Sequence, residues 1–162
     1  EAWQIALESE NEPSLLALSR QNLPLLRTSS AENLTAKGGY VIAGDANNRQ
    51  ATLIATGSEV SLAVEAMNKL QQEGISVVVV SMPCTELFDE QPLDYQETVL
   101  GSAPRVAIEA AAKFGWEKYV GLSGDIIGMD GFGASGPADK LYDYFGITVD
   151  EVVDSVKNLL QR

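Results

Sequence analysis

There is no histidine in this sequence, and there is one cysteine, Cys84. Without histidine the chain cannot assemble a Ser–His or Cys–His nucleophile pair from its own residues. A single thiol leaves no intrachain disulfide, which fits a reducing compartment. The two shortages together exclude a metal site built from Cys and His. Basic residues are also scarce: 11 Lys and Arg stand against 23 Asp and Glu, a formal net charge of −12. That balance lacks the basic footprint of nonspecific nucleic-acid binding. An anionic small molecule is not excluded, since a few arginines or backbone amides can make a site. The plainer reading of the acidity is solubility. Long hydrophobic runs are missing too, so no segment reads as a membrane-spanning helix. The opening residues lack the pattern of a secretory signal.

What remains is an ordinary globular composition. The 162 residues are 45% hydrophobic, enough for one domain with an appended piece. The chain is organised around Ala51–Ser81. Thr52–Thr56 is a short apolar and β-branched run punctuated by Gly57-Ser58. Val60, Val64, Met67 and Leu70 then recur at helical spacing, and Gly74 stands where a helix stops. Ser76–Ser81 holds four consecutive valines, the pattern of a strand buried on both faces. A parallel pair joined by a right-handed helical crossover satisfies all of this.

Around that unit the chain is less regular. Glu1–Glu8 has helical spacing without an N-cap, and reads as a helix cut in the middle. Ser14–Ser19 (SLLALS) reads as a buried strand. Leu25–Asn33 is polar and reads as a linker. The short strands Tyr40–Ala43 and Thr52–Thr56 are expected to pair as an edge hairpin. Past the valines, Glu86–Phe88 and Leu93–Leu100 read as short helices, Arg105–Glu109 as a third strand and Ala110–Lys118 as a broken helix. Asp125–Met129 reads as a fourth short strand, and Gly131–Pro137 as a glycine-rich loop leading into a helix at Pro137. The last helix is the best specified. Thr148 and Glu151 form a capping box, Ile147 and Val152 a hydrophobic staple, and Val149, Val152, Val153, Val156, Leu159 and Leu160 one apolar stripe. The expected fold is α/β: a three-layer domain with a mainly parallel open sheet, room for an antiparallel edge strand, and helices on both faces.

Four places could carry chemistry. The Gly57-Ser58 turn aims free amides above the sheet, but Glu59 would repel a phosphate there, and Ser58 could simply cap the helix. Gly131–Pro137 spells G-x-G-x-x-G, yet no strand follows to complete a dinucleotide site, so a structural turn is the stronger reading. Glu109 ends a strand at the edge where α/β sites lie; it could bind, act as acid or base, or pair with a neighbour. Phe114, Trp116 and Tyr119 read as core or interface. Arg20, after SLLALS, is placed either for bidentate recognition of phosphate or carboxylate or for a surface ion pair.

Five segments, in this order, resemble the carboxyl-terminal part of transketolase: ALSRQNLP (Ala17–Pro24), KGGYV (Lys37–Val41), ATGSEVSLAVEA (Ala55–Ala66), VVSMP (Val79–Pro83) and FGASGP (Phe132–Pro137). The resemblance implies a fragment of a homodimeric cytoplasmic enzyme of the pentose phosphate pathway. That enzyme moves a two-carbon ketol unit between sugar phosphates, using thiamine diphosphate and a divalent metal such as Mg. It implies that residues 1–24 end the pyrimidine-binding domain, 25–36 form a linker, and 37–162 form the third, carboxyl-terminal domain. It implies that Arg20 contacts the substrate phosphate. It implies no catalytic, cofactor or metal ligand in this chain, which should then be inert alone, with a role in fold and dimer. The competing readings are a free-standing anion-binding module, or the equivalent domain of a deoxyxylulose-phosphate synthase or pyruvate dehydrogenase β-subunit.

Overall fold

The computed structural model describes residues 1–29 and 31–162. The expected linker, 25–36, therefore lies partly outside the described residues. The core of the molecule is a five-stranded sheet. Its strands are β1 (Tyr40–Ala43), β2 (Ala51–Ala55), β3 (Val77–Ser81), β4 (Arg105–Ala112) and β5 (Asp125–Met129). Their order is β1-β3-β2-β4-β5, with β1 antiparallel to β3 and every other pair parallel. The helices are α1 (Ala2–Glu8), α2 (Glu59–Gln72), α3 (Thr85–Asp89), α4 (Leu93–Leu100), α5 (Glu117–Val120), α6 (Ala138–Phe145) and α7 (Val149–Leu160).

The strand–helix–strand unit is as its sequence requires: β2 and β3 pair in parallel, with Leu53 opposite Val79. Alternation along the strands divides the core in two. Leu53, Ala55, Val77 and Val79 pack with Val60, Leu70, Val152 and Val156 from α2 and α7. Ile54, Val78 and Val80 pack on the other face with Phe88, Val99, Trp116 and Tyr119 from the α3–α5 side. A strand covered on both faces favours apolar positions throughout, which is why β3 reads as four valines before Ser81. α2 and α7 are zipped at their solvent edge by Lys69–Asp150 and Lys157–Glu73, both at 2.5 Å. The cap of α7 forms, with Thr148 Oγ1 accepting the Glu151 amide at 3.3 Å. Its staple residues Ile147 and Val152 are buried.

Three expectations are corrected. β1 does not form a hairpin with β2. Both sides of β2 are taken by the buried strands β3 and β4, so the short β1 adds to the free side of β3. Gly44 steers it there: its φ is +91°, and any side chain would collide with the Val77 and Val78 backbone. Ser14–Ser19 is not a strand, and Leu15 and Leu18 are exposed, because no neighbouring strand offers it hydrogen bonds. The third strand runs on through Ala110–Ala112, where a broken helix was expected. Ala112 pairs with Met129, and helix begins only at Glu117, with α5 running to Val120. Alanine has no firm preference between the two states, and pairing with β5 decides it.

Candidate functional site

The carboxyl ends of the parallel strands open into a cleft of about 840 Å³, the place where α/β sheets hold their ligands. Thr56 follows β2, Met82 to Cys84 follow β3, and Glu109 comes from β4. Trp116 and Tyr119 form one wall, and Ile5 and residues 12–16 of the N-terminal segment form the opposite one. Glu109 is in the cleft because β4 is irregular there: its register against β5 shifts between Ile108 and Ala112. A bulge of this kind re-aims side chains at a sheet rim. The Gly128 position in β5 accommodates it, since a Cβ there would lie 3.0 Å from the Glu109 carbonyl oxygen.

Behind Glu109 lies a cluster that sequence reasoning missed. Glu59, in the first turn of α2, is buried. The Ser58 hydroxyl donates to its Oε1 at 2.7 Å, and the Tyr142 hydroxyl of α6 donates to the same oxygen. Ser58 thus stands at the N-cap position but does not cap the helix by its side chain; its hydroxyl serves Glu59 instead. Burial, with the nearby charge of Glu59, raises Glu109 to about 7. Burial, followed by the bond to Glu59, pushes Tyr142 up to about 12. Glu59 was visible as a charge at a helix start, but its burial depends on Tyr142, 83 residues away, and no local pattern links the two.

The four sequence candidates converge unevenly. Gly57, at φ +55°, turns the chain out of β2, and a Cβ on it would lie 3.6 Å from Ser19 Oγ. Ser19 therefore lies close to the Gly57-Ser58 turn, and Arg20 follows it in the chain. Arg20 is exposed and makes no ion pair among the described residues. The other internal arginines are committed. Arg27 pairs with Glu1. Arg49 donates to the Thr98 and Val99 carbonyls at 2.9 and 2.8 Å, and Arg105 donates to the Tyr119 carbonyl at 2.8 Å. The Gly131–Pro137 loop is exposed throughout, and its contribution comes through the helix it leads into. Trp116 and Tyr119 are core, as expected, whereas Phe114 is 93% exposed.

Electrostatics limit what this edge can bind. Glu12, Glu86, Glu90 and Glu109 line the cleft, and no Lys or Arg does. At the start of α2 the buried Glu59 carboxylate, held by the Ser58 and Tyr142 hydroxyls, would repel an anion. The free-standing anion-binding module is thereby set aside. The same acidic lining does not fit a pyrophosphate, and among the described residues no group of three or more His, Cys, Asp or Glu could hold a metal ion. No helix among the described residues is long and apolar enough to cross a membrane.

Comparison with known proteins places the chain. The family model described as the transketolase-like TK C-terminal domain matches residues 38–148. The transketolase of Sinorhizobium medicae is 54% identical over 164 residues, covering 100% of this chain and 24% of its own length. The solved structure of a transketolase from Leishmania mexicana superposes with a TM-score of 0.91 at 48% identity, covering 99% of this chain and 23% of that one. A Pichia stipitis transketolase solved in complex with sedoheptulose-7-phosphate gives 0.89 at 38% identity, with coverage of 99% and 23%. These relatives favour transketolase over the equivalent domain of a deoxyxylulose-phosphate synthase or pyruvate dehydrogenase β-subunit. This chain spans about a quarter of the length of the curated relatives it matches (24%). It belongs to the transketolase C-terminal domain family.

Proposed function

We propose that this chain is the carboxyl-terminal part of a transketolase. The parent is a homodimeric, cytoplasmic enzyme that transfers a two-carbon ketol unit between ketose and aldose phosphates. Residues 1–24 end its pyrimidine-binding domain, 25–36 link, and 37–162 form the third domain, whose role is in fold and dimer. The observation that carries this reading is a match over the whole chain to proteins about four times as long (24% of their length). Thiamine diphosphate and a divalent metal such as Mg belong to the upstream part. The cofactor, when bound there, supplies the electron sink for carbon–carbon cleavage.

The one group of this chain that meets substrate in this reading is Arg20, through the terminal phosphate of the sugar. What supports it is an exposed guanidinium without an acidic partner, its neighbour Ser19 close to the Gly57 turn. A guanidinium–phosphate contact contributes about 1.5–3 kcal/mol. Arg20→Ala in the full-length parent is therefore expected to raise KM for phosphorylated substrates roughly 10- to 100-fold, leaving unphosphorylated ketoses unaffected. Unchanged kinetics with phosphorylated sugars would sink the assignment. This chain alone, supplied with thiamine diphosphate and Mg, should show no ketol transfer.

A further inference from the structure

We propose that Asp130 is a site of spontaneous backbone modification, where the Gly131 amide closes onto the Asp130 side chain and the ring reopens to isoaspartate. Asp130-Gly131 is the one Asp-Gly pair in the sequence, and no asparagine precedes a glycine. The fold leaves this pair unhindered. Asp130 leaves the end of β5 in a bend, and residues 130–140 are all exposed. The Gly131 N–H makes no hydrogen bond among the described residues. Nothing lies within 4 Å of where a Gly131 Cβ would stand, so the backbone turns there without collision. The other aspartates are held. Those of α3, α4, α6 and α7 have helical backbone, whose fixed dihedrals keep the carboxyl carbon off the next nitrogen. Asp125 is bonded to the Ser155 hydroxyl at 2.6 Å, and Asp45 to the Asn47 amide at 2.9 Å.

The reaction needs no partner but water. The Gly131 nitrogen attacks Asp130 Cγ and gives up its proton. One carboxyl oxygen leaves as water, carrying that proton and a second from solvent, and a succinimide ring remains. Water then opens the ring. Attack at the Cγ carbonyl restores aspartate. Attack at the main-chain carbonyl breaks the original peptide link, so the chain runs on through Cγ and the main-chain carboxylate is freed. The charge near the carboxyl is Lys113 at the end of β4, 2.8 Å away. That pair is open to solvent, with the Asp130 side chain 80% exposed, and is a weak restraint. Isomerisation lengthens the backbone by a methylene carbon between β5 and the glycine-rich loop. The exposed loop has room for it, so the product accumulates.

The test is to age the 162-residue chain at neutral pH, folded and in urea. Isoaspartate is counted by methyl transfer from S-adenosylmethionine with an isoaspartyl methyltransferase. It is located by peptide mapping after ageing in heavy-oxygen water, since each ring opening adds one solvent oxygen. The folded chain is expected to form isoaspartate at Asp130 within a few-fold of the unfolded rate, and more slowly at every other position. Gly131→Ala puts a methyl beside the attacking nitrogen and should slow the reaction severalfold. Its Cβ meets nothing, so the variant tests the chemistry and not the fold. Asp130→Asn keeps the loop and offers ammonia as a better leaving group, and should react faster than the native chain. The proposal is overturned if the folded chain forms no isoaspartate at Asp130, if another position outpaces it, if Gly131→Ala reacts as fast as the native chain, or if folded Asp130→Asn is inert.

Discussion

Ser14–Ser19 and Val77–Ser81 are both short, apolar and bounded by turn residues, yet only the second is a strand. Leu15 and Leu18 are 93% and 74% exposed, whereas Val78, Val79 and Val80 are fully buried. The difference lies in their neighbours. β3 has β1 on one side, β2 on the other, and helices over both faces. Ser14–Ser19 has none of these, so its backbone groups gain nothing by extending. A run of this composition is a strand only where other strands complete it. In the proposed parent that completion would come from the upstream domain.

The widest separation between the two regions should appear when the same truncation is made in each. Leu53 is fully buried at the centre of the sheet, opposite both Val79 and Val106. Leu53→Ala should cost about 3 kcal/mol, from lost burial plus the cavity left behind. Leu15→Ala, at 93% exposure, should fall within about 0.5 kcal/mol of the native chain. Urea unfolding of the two variants measures both. Equal losses would mean that the N-terminal run is packed after all, and the contrast would collapse.

Glu109 tests the sheet edge where the two regions face each other across the cleft. Its carboxyl is raised from 4.5 to about 7, so the folded chain holds that proton more tightly than the unfolded one. The stabilisation is complete below about pH 4.5 and is lost as pH rises to about 7. Full burial would make the shift worth roughly 3 kcal/mol. Glu109 is only half-buried, and solvent screening brings the expected loss to about 1–2 kcal/mol. Glu86 and Asp150 shift downward, through a backbone hydrogen bond and through Lys69 respectively, so they act at lower pH. Unfolding curves across this window should slope downward in the native chain and flatten in Glu109→Gln. Parallel slopes would remove Glu109 as their source.

Much of the fold was legible because its signals are local. The valine run, the 3.6-residue spacing of α2 and the cap of α7 each specify an element within a few residues. Pairing was not local, and there the reading failed. Nothing in Tyr40–Ala43 says that its partner is Val77–Ser81 and not the nearer β2, and the alanines at 110–112 become strand only through Met129. The site followed the same rule. Arg20, Gly57-Ser58 and Glu109 stood out by residue type and position. The Glu59–Tyr142 bond joins residues 83 apart, and the shift of Glu109 needs both its burial and the charge of Glu59 from a different element.

Helix caps separate the two regions more gently. The first helix, α1, has no side-chain cap, whereas α7 has Thr148 accepting the Glu151 amide at 3.3 Å. Thr148→Ala should cost about 1 kcal/mol. Thr148→Ser, which keeps the oxygen, should restore most of it. Thermal melts of the pair decide this; a Ser variant as weak as the Ala variant would mean that the threonine methyl matters, not the cap.

The smallest effect should follow the largest deletion. Removing residues 1–24 takes away α1, the SLLALS run and Arg20, but little that is buried, since α1 has no buried residue and Leu15 and Leu18 face solvent. The ties lost are polar: Glu1 to the partly buried Arg27 and to the Thr35 hydroxyl, the latter at 2.8 Å, and the Asn33 side-chain amide to the Glu1 carbonyl and Gln4 Oε1, each at 3.3 Å. Contacts of this kind contribute about 1 kcal/mol or less. The cleft between this segment and the strand ends means that deletion uncovers a wall already partly open. Residues 25–162 should therefore unfold cooperatively with a midpoint close to that of the whole chain. A loss of several kcal/mol would show that the segment is part of the carboxyl-terminal domain, and would move the proposed boundary at residue 24 towards the N-terminus. A small loss would confine the stability of this chain to the sheet that begins at Tyr40, leaving the N-terminal segment to be ordered by whatever strands lie beside it in the parent.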